Sequence, residues 1–445
     1  MAKTGLKYSV VIGGGWAGCA AAVTLAQRGQ RVTLLEAART LGGRARRIDI
    51  DGRTLDNGQH IMLGAYRVTL GLLKTLAPAQ APEVLLHLPL QMRYPPGSGG
   101  MDFVAPRLPA PLHLLIALLR ATGLDRDDKL ALARFSTTAR WIDWKLDQDF
   151  SVLSLLERWE QTPRLAALMW RPLCIAALNT PPERASAQIF LNVLRDSLGA
   201  RRAASDMLIP RLDLSALLPD RAASWLERHG AQVRVGTAAS ALVRDGDGWQ
   251  VQLGDETLRC DSVVLAVAPH QAARLLAGYG TLAPLCAQLE AFEYEAITTC
   301  YLQYDASVRL AQPFFALRDD GDNGDWGQFV FDRGQLDGQQ GLLAVVISAA
   351  GGALALPQTE LAQAAAAQLA RVFQRPELAQ PSWLKVISEK RATYACTPGL
   401  QRPDNATTEA GLFLAGDYTA GDYPATLEAA VASGIRAASL ISAAR

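Results

Sequence analysis

The stretch from Tyr8 to Glu36 constrains this chain more than any other. Tyr8-Ser-Val-Val-Ile12 is a β-branched run that reads as a buried parallel strand. Gly13-Gly-Gly15-Trp16-Ala17-Gly18 follows at once and matches G-x-G-x-x-G. Cys19 to Arg28 is rich in alanine and predicts a helix, which Gly29 stops. Arg31-Val-Thr-Leu-Leu35 is a second strand and ends in Glu36. The spacing has a physical reason. Gly13 permits a tight turn, Gly15 lets the backbone approach a pyrophosphate, and Gly18 lets the helix pack on the strand. The helix N-terminus supplies free N–H groups and a partial positive charge, and Glu36 stands where a carboxylate can bond a ribose diol.

A chain of 445 residues is too long for one core and is read as two domains. Lys plus Arg (44) nearly cancels Asp plus Glu (43), which removes any global argument for nucleic-acid binding. The six cysteines are scattered with no C-x-x-C, the pattern of reduced, structural thiols in a cytoplasmic protein. The five histidines show neither H-x-x-x-H nor H-E-x-x-H spacing, so no dedicated metal site is expected. No secretory leader is read, because the first apolar run begins early and is broken by glycines. No stretch reaches the ~18 continuous apolar residues of a spanning helix.

Further along, Thr40-Leu-Gly42-Gly43-Arg44-Ala-Arg46-Arg47 sets glycines beside arginines, so backbone can approach an anion that guanidinium neutralises. Asp51-Gly52 signals a hairpin, and the polar Asp56-Asn57-Gly58-Gln59-His60 precedes an apolar stretch. Pro78 to Pro111 is rich in proline and glycine, with a turn at Tyr94 to Gly100. Leu112 to Leu119 predicts a helix apolar over much of its surface, flanked by Arg107 and Arg120. It is read either as a buried helix of the second domain, the commoner fate, or as one dipping into a lipid interface. Lys129 to Leu218 reads as helical, with Trp141, Trp144, Trp159 and Trp170 as core aromatics. The α/β rhythm returns with a strand at Gln232 to Val235, a hairpin at Gly248 to Cys260 and a buried strand at Ser262 to Val267. A second sheet is expected from Thr298 to Tyr304, Gly327 to Phe331 and Leu342 to Ser348, with the acidic run Asp319 to Asp325 as a hairpin tip. Gly411-Leu-Phe-Leu-Ala-Gly416-Asp417 is a hydrophobic strand ending in an acid. Pro424 and a small-residue helix follow, a second docking geometry for a phosphate or ring.

Together these segments resemble the superfamily of flavin-dependent amine oxidases and carotenoid desaturases. The resemblance implies an α/β fold: a Rossmann-like FAD-binding domain, with a helix-flanked parallel sheet and a β-hairpin crossover, interleaved with an α+β substrate domain. The first would hold residues 1–70, 219–270 and 388–445, and the second, lipid-binding, residues 71–218 and 271–387. FAD is the implied cofactor. Gly13, Gly15, Trp16, Ala17, Gly18, Glu36 and Ala37 correspond to the family's ADP site, and Gly42, Gly43 and Arg44 to its G-G-R loop. Asn57, Gly58 and Gln59 are also implied at the cofactor. Gly416 and Asp417 would hold the ribityl diphosphate, Val233 would lie by the adenine, and Ala425, Thr426 and Leu427 would start the helix under the flavin's pyrimidine edge.

Within that superfamily, Asp56 to His60 with Gly421-Asp-Tyr-Pro-Ala-Thr426 looks most like the squalene-associated enzymes of bacterial hopanoid synthesis. This implies reductive dehydroxylation of hydroxysqualene to squalene: a protonated hydroxyl leaves, and the allylic cation takes hydride from reduced flavin. Asp422, His60, Asp56 and Tyr423 are the candidate acids. In the plainer reading Asp56 caps a turn and His60 packs beside the ring. The implied partners are a long-chain isoprenoid substrate and, as electron donor, a separate reductase or free reduced flavin. No nicotinamide site is expected, because Asp245-Gly-Asp-Gly248 makes a hairpin where a second crossover helix would be needed, and Ala349-Ala-Gly-Gly-Ala-Leu354 lacks the glycine spacing. The expected location is cytoplasmic, peripheral on the inner face of the plasma membrane in the lipid-interface reading. The alternatives are a carotenoid desaturase or amine oxidase that removes hydride, and a non-enzymatic prenyl-lipid carrier.

Overall fold

The computed structural model of the chain describes residues 7–77 and 84–443; Pro78, which opens the proline- and glycine-rich segment, lies outside them. Strand β1 (Tyr8–Ile12), helix α1 (Trp16–Gln27) and strand β2 (Arg31–Leu35) form the expected opening unit. Strands β3 (Gln232–Arg234), β4 (Ser262–Leu265) and β5 (Leu412–Leu414) complete a five-stranded parallel sheet of order β3-β2-β1-β4-β5. Every residue of β1 and β4 is buried, as their unbroken β-branched runs require of central strands covered on both faces. Between β3 and β4 the chain makes a three-stranded antiparallel unit, Ala241–Asp245, Gly248–Leu253 and Glu256–Cys260, in place of a crossover helix.

Small residues set the layer spacing. Helix α1 starts at Trp16 rather than Cys19, because Gly15, in extended backbone, is its N-cap. A Cβ on Gly18 would sit 1.8 Å from the Gly13 carbonyl oxygen, so only glycine lets α1 lie on β1. The C-terminal helix α2 (Leu427–Ala443) packs against α1 in the same way: a Cβ on Gly434 would meet the Ala17 carbonyl at 2.1 Å.

The second sheet is antiparallel, in the order Phe314–Ala316, Phe329–Asp332, Leu342–Ser348, Tyr294–Gln303, Trp383–Tyr394. Its side chains alternate between two cores. Cys300, Leu302, Val330, Leu343 and Val345 pack with Leu361, Ala365 and Leu369 of the helix Gln358–Phe373. Tyr301, Phe331, Ala344 and Val346 face the main core and the cavities described below. Asp319 to Asp325 joins two neighbouring strands of this sheet as a hairpin tip.

Hydrogen-bonded ladders run across the expected segment boundaries, the apolar helix is largely exposed, and one expected core aromatic is not in the core. Strand Trp383–Tyr394 pairs with Tyr294–Gln303 nearly end to end, so a boundary at residue 388 would cut a hydrogen-bonded ladder. Met62–Leu63 likewise joins Met207–Pro210 and Leu85–Leu88 in one small sheet, which ties segment 1–70 to segment 71–218. Helix Leu112–Arg120 buries only His113 and Ala117; Leu112, Leu115 and Leu119 are 50, 50 and 62% exposed. Trp144 and Trp170 are buried as expected, but Trp141 is 90% exposed, because helix Arg126–Trp141 turns Phe135 and Ala139 to the core instead.

Candidate active site

A cavity of about 520 Å³ opens where β1, β2 and β4 end. Its floor is backbone. Gly42 donates its N–H to the Gly14 carbonyl at 2.9 Å, and Gly15 and Gly42 form a parallel bridge. Gly42 and Gly43 have φ of +116° and +61°, where side chains are disfavoured, and a Cβ on Gly43 would press on Gly15 Cα at 3.2 Å. The two glycine loops therefore meet with no side chain between them. Helix α1 has neither a side-chain cap nor an acid in its first turn, which leaves its first N–H groups for an anion.

Charged groups close the sides. The Glu36 carboxylate accepts the Gly14 and Ala38 amides at 2.7 and 2.8 Å and lines the cavity. Arg44 grips Asp417 with one nitrogen at 2.6 and 2.7 Å and donates another N–H to the Ala392 carbonyl at 2.6 Å. Tyr418 forms part of the wall, and its buried hydroxyl has no partner within the protein.

The cavity wall brings together most of the residues expected at a cofactor: Gly13, Gly15, Trp16, Ala17, Glu36, Ala37, Gly42, Gly43, Arg44, Asn57, Gly58, Gln59, Gly416, Asp417, Ala425, Thr426 and Leu427. Gly18 is behind it, in the packing role its spacing implies. Val233 is not in the wall: it packs half-buried beside β2. Thr237, Ala238 and Ala239 line it instead, because the chain turns at Gly236 (φ +64°) and the Gly236 and Thr237 amides bond the Ala38 and Glu36 carbonyls. Gly236, a turn glycine just after a strand, was the available signal.

The four candidate acids separate. Asp56 lines neither cavity. Its buried carboxylate accepts the Leu214 amide at 2.8 Å and Arg333 at 3.1 Å, and Arg333 also holds Asp337 and Gln59. Burial pushes its carboxyl above the usual range, against the pull of Arg333 and the Leu214 amide. It is a core ion pair. Asp422 is 74% exposed, lies 4.0 Å from Arg195 and also lines neither cavity. His60 does line the cavity, and its Nδ1 lies 2.8 Å from the Gly58 carbonyl. A carbonyl only accepts, so Nδ1 carries the proton; burial holds the ring below the usual histidine pKa, so it is neutral and Nε2 is an acceptor.

Tyr423 stands in the wall of a second, largely apolar cavity of about 210 Å³. Gln59, Ile61, Tyr66, Val346, Ser348 and Thr426 border both cavities, so the two adjoin. Met92, Phe103, Met169, Phe190, Phe329 and Phe331 supply the apolar lining. The Tyr423 hydroxyl donates to Asp196 at 2.6 Å, and Arg195 donates to the same carboxylate at 2.7 and 3.1 Å. Burial works to raise Asp196, but the bonds from Arg195 and Tyr423 carry it below the usual carboxylate range. Burial and the adjacent carboxylate push the Tyr423 phenol up, so it keeps its proton. Sequence reasoning missed Asp196, because its partner Tyr423 is 227 residues away.

The family model for flavin containing amine oxidoreductases matches residues 16–442. The chain belongs to this family. It is 30% identical to a hydroxysqualene dehydroxylase of Rhodopseudomonas palustris, with 98% of each chain covered. It is 24% identical to a zeta-carotene desaturase of Synechocystis, with 97% of this chain and 96% of that one covered. Among solved structures, an oxidoreductase from Methanosarcina mazei superposes with a TM-score of 0.74 at 15% identity, covering 97% of this chain and all of that one. The protein is an FAD-dependent oxidoreductase.

The residues present fit that cofactor. A diphosphate suits the bare glycine backbone and the uncapped start of α1, and a ribose diol suits Glu36. Glu36→Ala should weaken FAD binding by about 1–3 kcal/mol, the scale of a hydrogen bond to a charged group. Fluorescence titration of the apoprotein measures it, and unchanged affinity would place the ribose elsewhere.

Proposed function

We propose that this oxidoreductase converts hydroxysqualene to squalene. The observation that carries the proposal is the Tyr423–Asp196 pair, a fixed hydroxyl and carboxylate in an apolar wall adjoining the flavin cradle. Similarity to hydroxysqualene dehydroxylases over nearly the whole chain supports it. When bound in its reduced form, FAD supplies a hydride to the allylic carbon from which the hydroxyl departs as water. The apolar wall excludes bulk water from that carbon. A phenol has one proton to donate, so Tyr423 turns its O–H from Asp196 to the leaving oxygen, Asp196 remains held by Arg195, and the proton consumed comes from solvent. Asp196 stays ionised, paired with Arg195, and orients the Tyr423 hydroxyl at the cavity wall. Asp422 and Asp56, placed outside both cavities, take no part.

The test is a single anaerobic turnover of chemically reduced holoenzyme with hydroxysqualene. Squalene should form in step with flavin reoxidation, and Tyr423→Phe and Asp196→Asn should retain FAD and react about 10²–10³-fold more slowly. No squalene from the native protein would overturn the proposal. Oxidised holoenzyme dehydrogenating a carotenoid precursor would favour the desaturase reading, and lipid binding without turnover a carrier.

We also propose that the substrate arrives from a membrane surface, at the cytoplasmic face. Leu112, Leu115 and Leu119 form one exposed apolar face, with exposed Arg107 and Arg120 at its ends to meet anionic headgroups. On the opposite side of that helix, buried His113 lies 3.4 Å from Ser205, which lines the second cavity. Among the described residues no helix is long and apolar enough to cross a membrane, so the protein would rest on one. Native holoenzyme should float with anionic vesicles, and Leu115→Glu with Leu119→Glu should lose most of that association. Equal flotation of an FAD-retaining variant would refute it.

The electron donor, we propose, is a separate reductase or free reduced flavin. The antiparallel unit between β3 and β4 supplies no second helix N-terminus for an anionic dinucleotide. In anaerobic stopped-flow of the protein alone, micromolar NADH or NADPH should leave the flavin oxidised; rapid bleaching would overturn this.

A further inference from the structure

Among the polar side chains that border the apolar cavity and that the proposed reaction leaves unused, Gln91 stands out by a buried amide nitrogen without a partner. Gln91 lies in the hairpin strand Gln91–Arg93, is 5% exposed and borders the cavity between Leu90 and Met92. Its amide Nε2 is buried with no hydrogen-bond partner. The strand holds Gln91 in place by backbone pairing with Val104, so the side-chain amide is not needed for the hairpin. Asp196 and Tyr423, by contrast, satisfy one another. A buried amide without a partner costs free energy in the free protein, and a ligand oxygen recovers it. Rotation about its last torsion exchanges the amide oxygen and nitrogen, so the group can present either a donor or an acceptor to the cavity. An alcohol matches both roles. A hydrocarbon matches neither and leaves the amide unpaired.

We propose that Gln91 recognises the hydroxyl of the substrate and makes the cavity prefer an isoprenoid alcohol over the hydrocarbon formed from it. This rests on the dehydroxylation reading and adds a specificity residue to it. The two ligands differ by one hydroxyl, so apolar contacts with the shared chain cannot separate them. A site that hydrogen-bonds a hydroxyl rejects the analogue lacking it, because the site's own polar group is then stranded. The same asymmetry favours release of the product: once the C–O bond is gone, Gln91 has nothing to hold.

The experiment is equilibrium binding of radiolabelled hydroxysqualene and squalene to the oxidised holoenzyme, in which no turnover occurs. The native protein should bind the alcohol about tenfold or more tightly. In Gln91→Leu and in the similarly shaped Gln91→Met, that preference should collapse to within about threefold, through weaker binding of the alcohol and equal or tighter binding of the hydrocarbon. Neither variant should lose FAD or thermal stability, since the amide removed had no partner. Native protein that binds both lipids equally, or a folded variant that keeps the native preference, overturns the role of Gln91 and leaves the dehydroxylation reading intact. Native protein that neither binds nor turns over hydroxysqualene overturns both.

Discussion

Arg44 is locked on Asp417, and the rest of the site depends on that contact. The two residues are 373 positions apart. Their pairing brings the second glycine loop against the end of β5, and β5 leads into α2, whose start forms another side of the same cavity. A second guanidinium nitrogen bonds the Ala392 carbonyl in the edge strand of the antiparallel sheet. One side chain thus fixes the cofactor cradle relative to the sheet that walls the substrate cavity. Because Asp417 is buried, removing Arg44 would leave an uncompensated buried charge, a far larger cost than that of an exposed ion pair.

The opening unit was legible because everything that builds it is close in sequence. The β-branched runs of β1 and β2, the glycine spacing and Glu36 lie within about one βαβ unit and encode their own geometry. The Asp51-Gly52 turn and the hairpins after β3 were legible for the same reason. The roles of the acids were not. Asp56 looked reactive beside His60, yet its fate is set by Arg333, 277 residues on. Asp196 belongs to no sequence motif, yet Tyr423, 227 residues on, bonds it in the wall of the apolar cavity. A local motif shows that a polar residue matters and does not say which partner it has. Segment limits are a different matter. Composition shifts mark where character changes, whereas strand Trp383–Tyr394 is defined by a ladder that ignores such shifts.

The two adjoining cavities divide the chemistry by polarity. The cradle is backbone amides and ion pairs, suited to an anionic cofactor. The second cavity is carbon on most sides, suited to a hydrocarbon. Sequence patterning marks both kinds of residue but cannot place them side by side. Their contact runs through Gln59, Tyr66 and Thr426, drawn from both ends of the chain.

A carboxylate paired with Arg195 in such a wall does not by itself choose a direction of reaction. Hydride removal from a polyene and hydride delivery to an ionised alcohol both pass through positive charge on carbon. The choice lies with the oxygen. A desaturase substrate carries none, so the buried Gln91 amide facing its cavity would stay unpaired. Here the cavity holds both Gln91 and Tyr423, and Tyr423 keeps its proton because burial and the adjacent Asp196 both raise its phenol. The Gln91 amide gains a partner where an oxygen enters and loses it when the oxygen leaves. The polar minority of the wall, more than its apolar bulk, therefore argues for reduction of an alcohol.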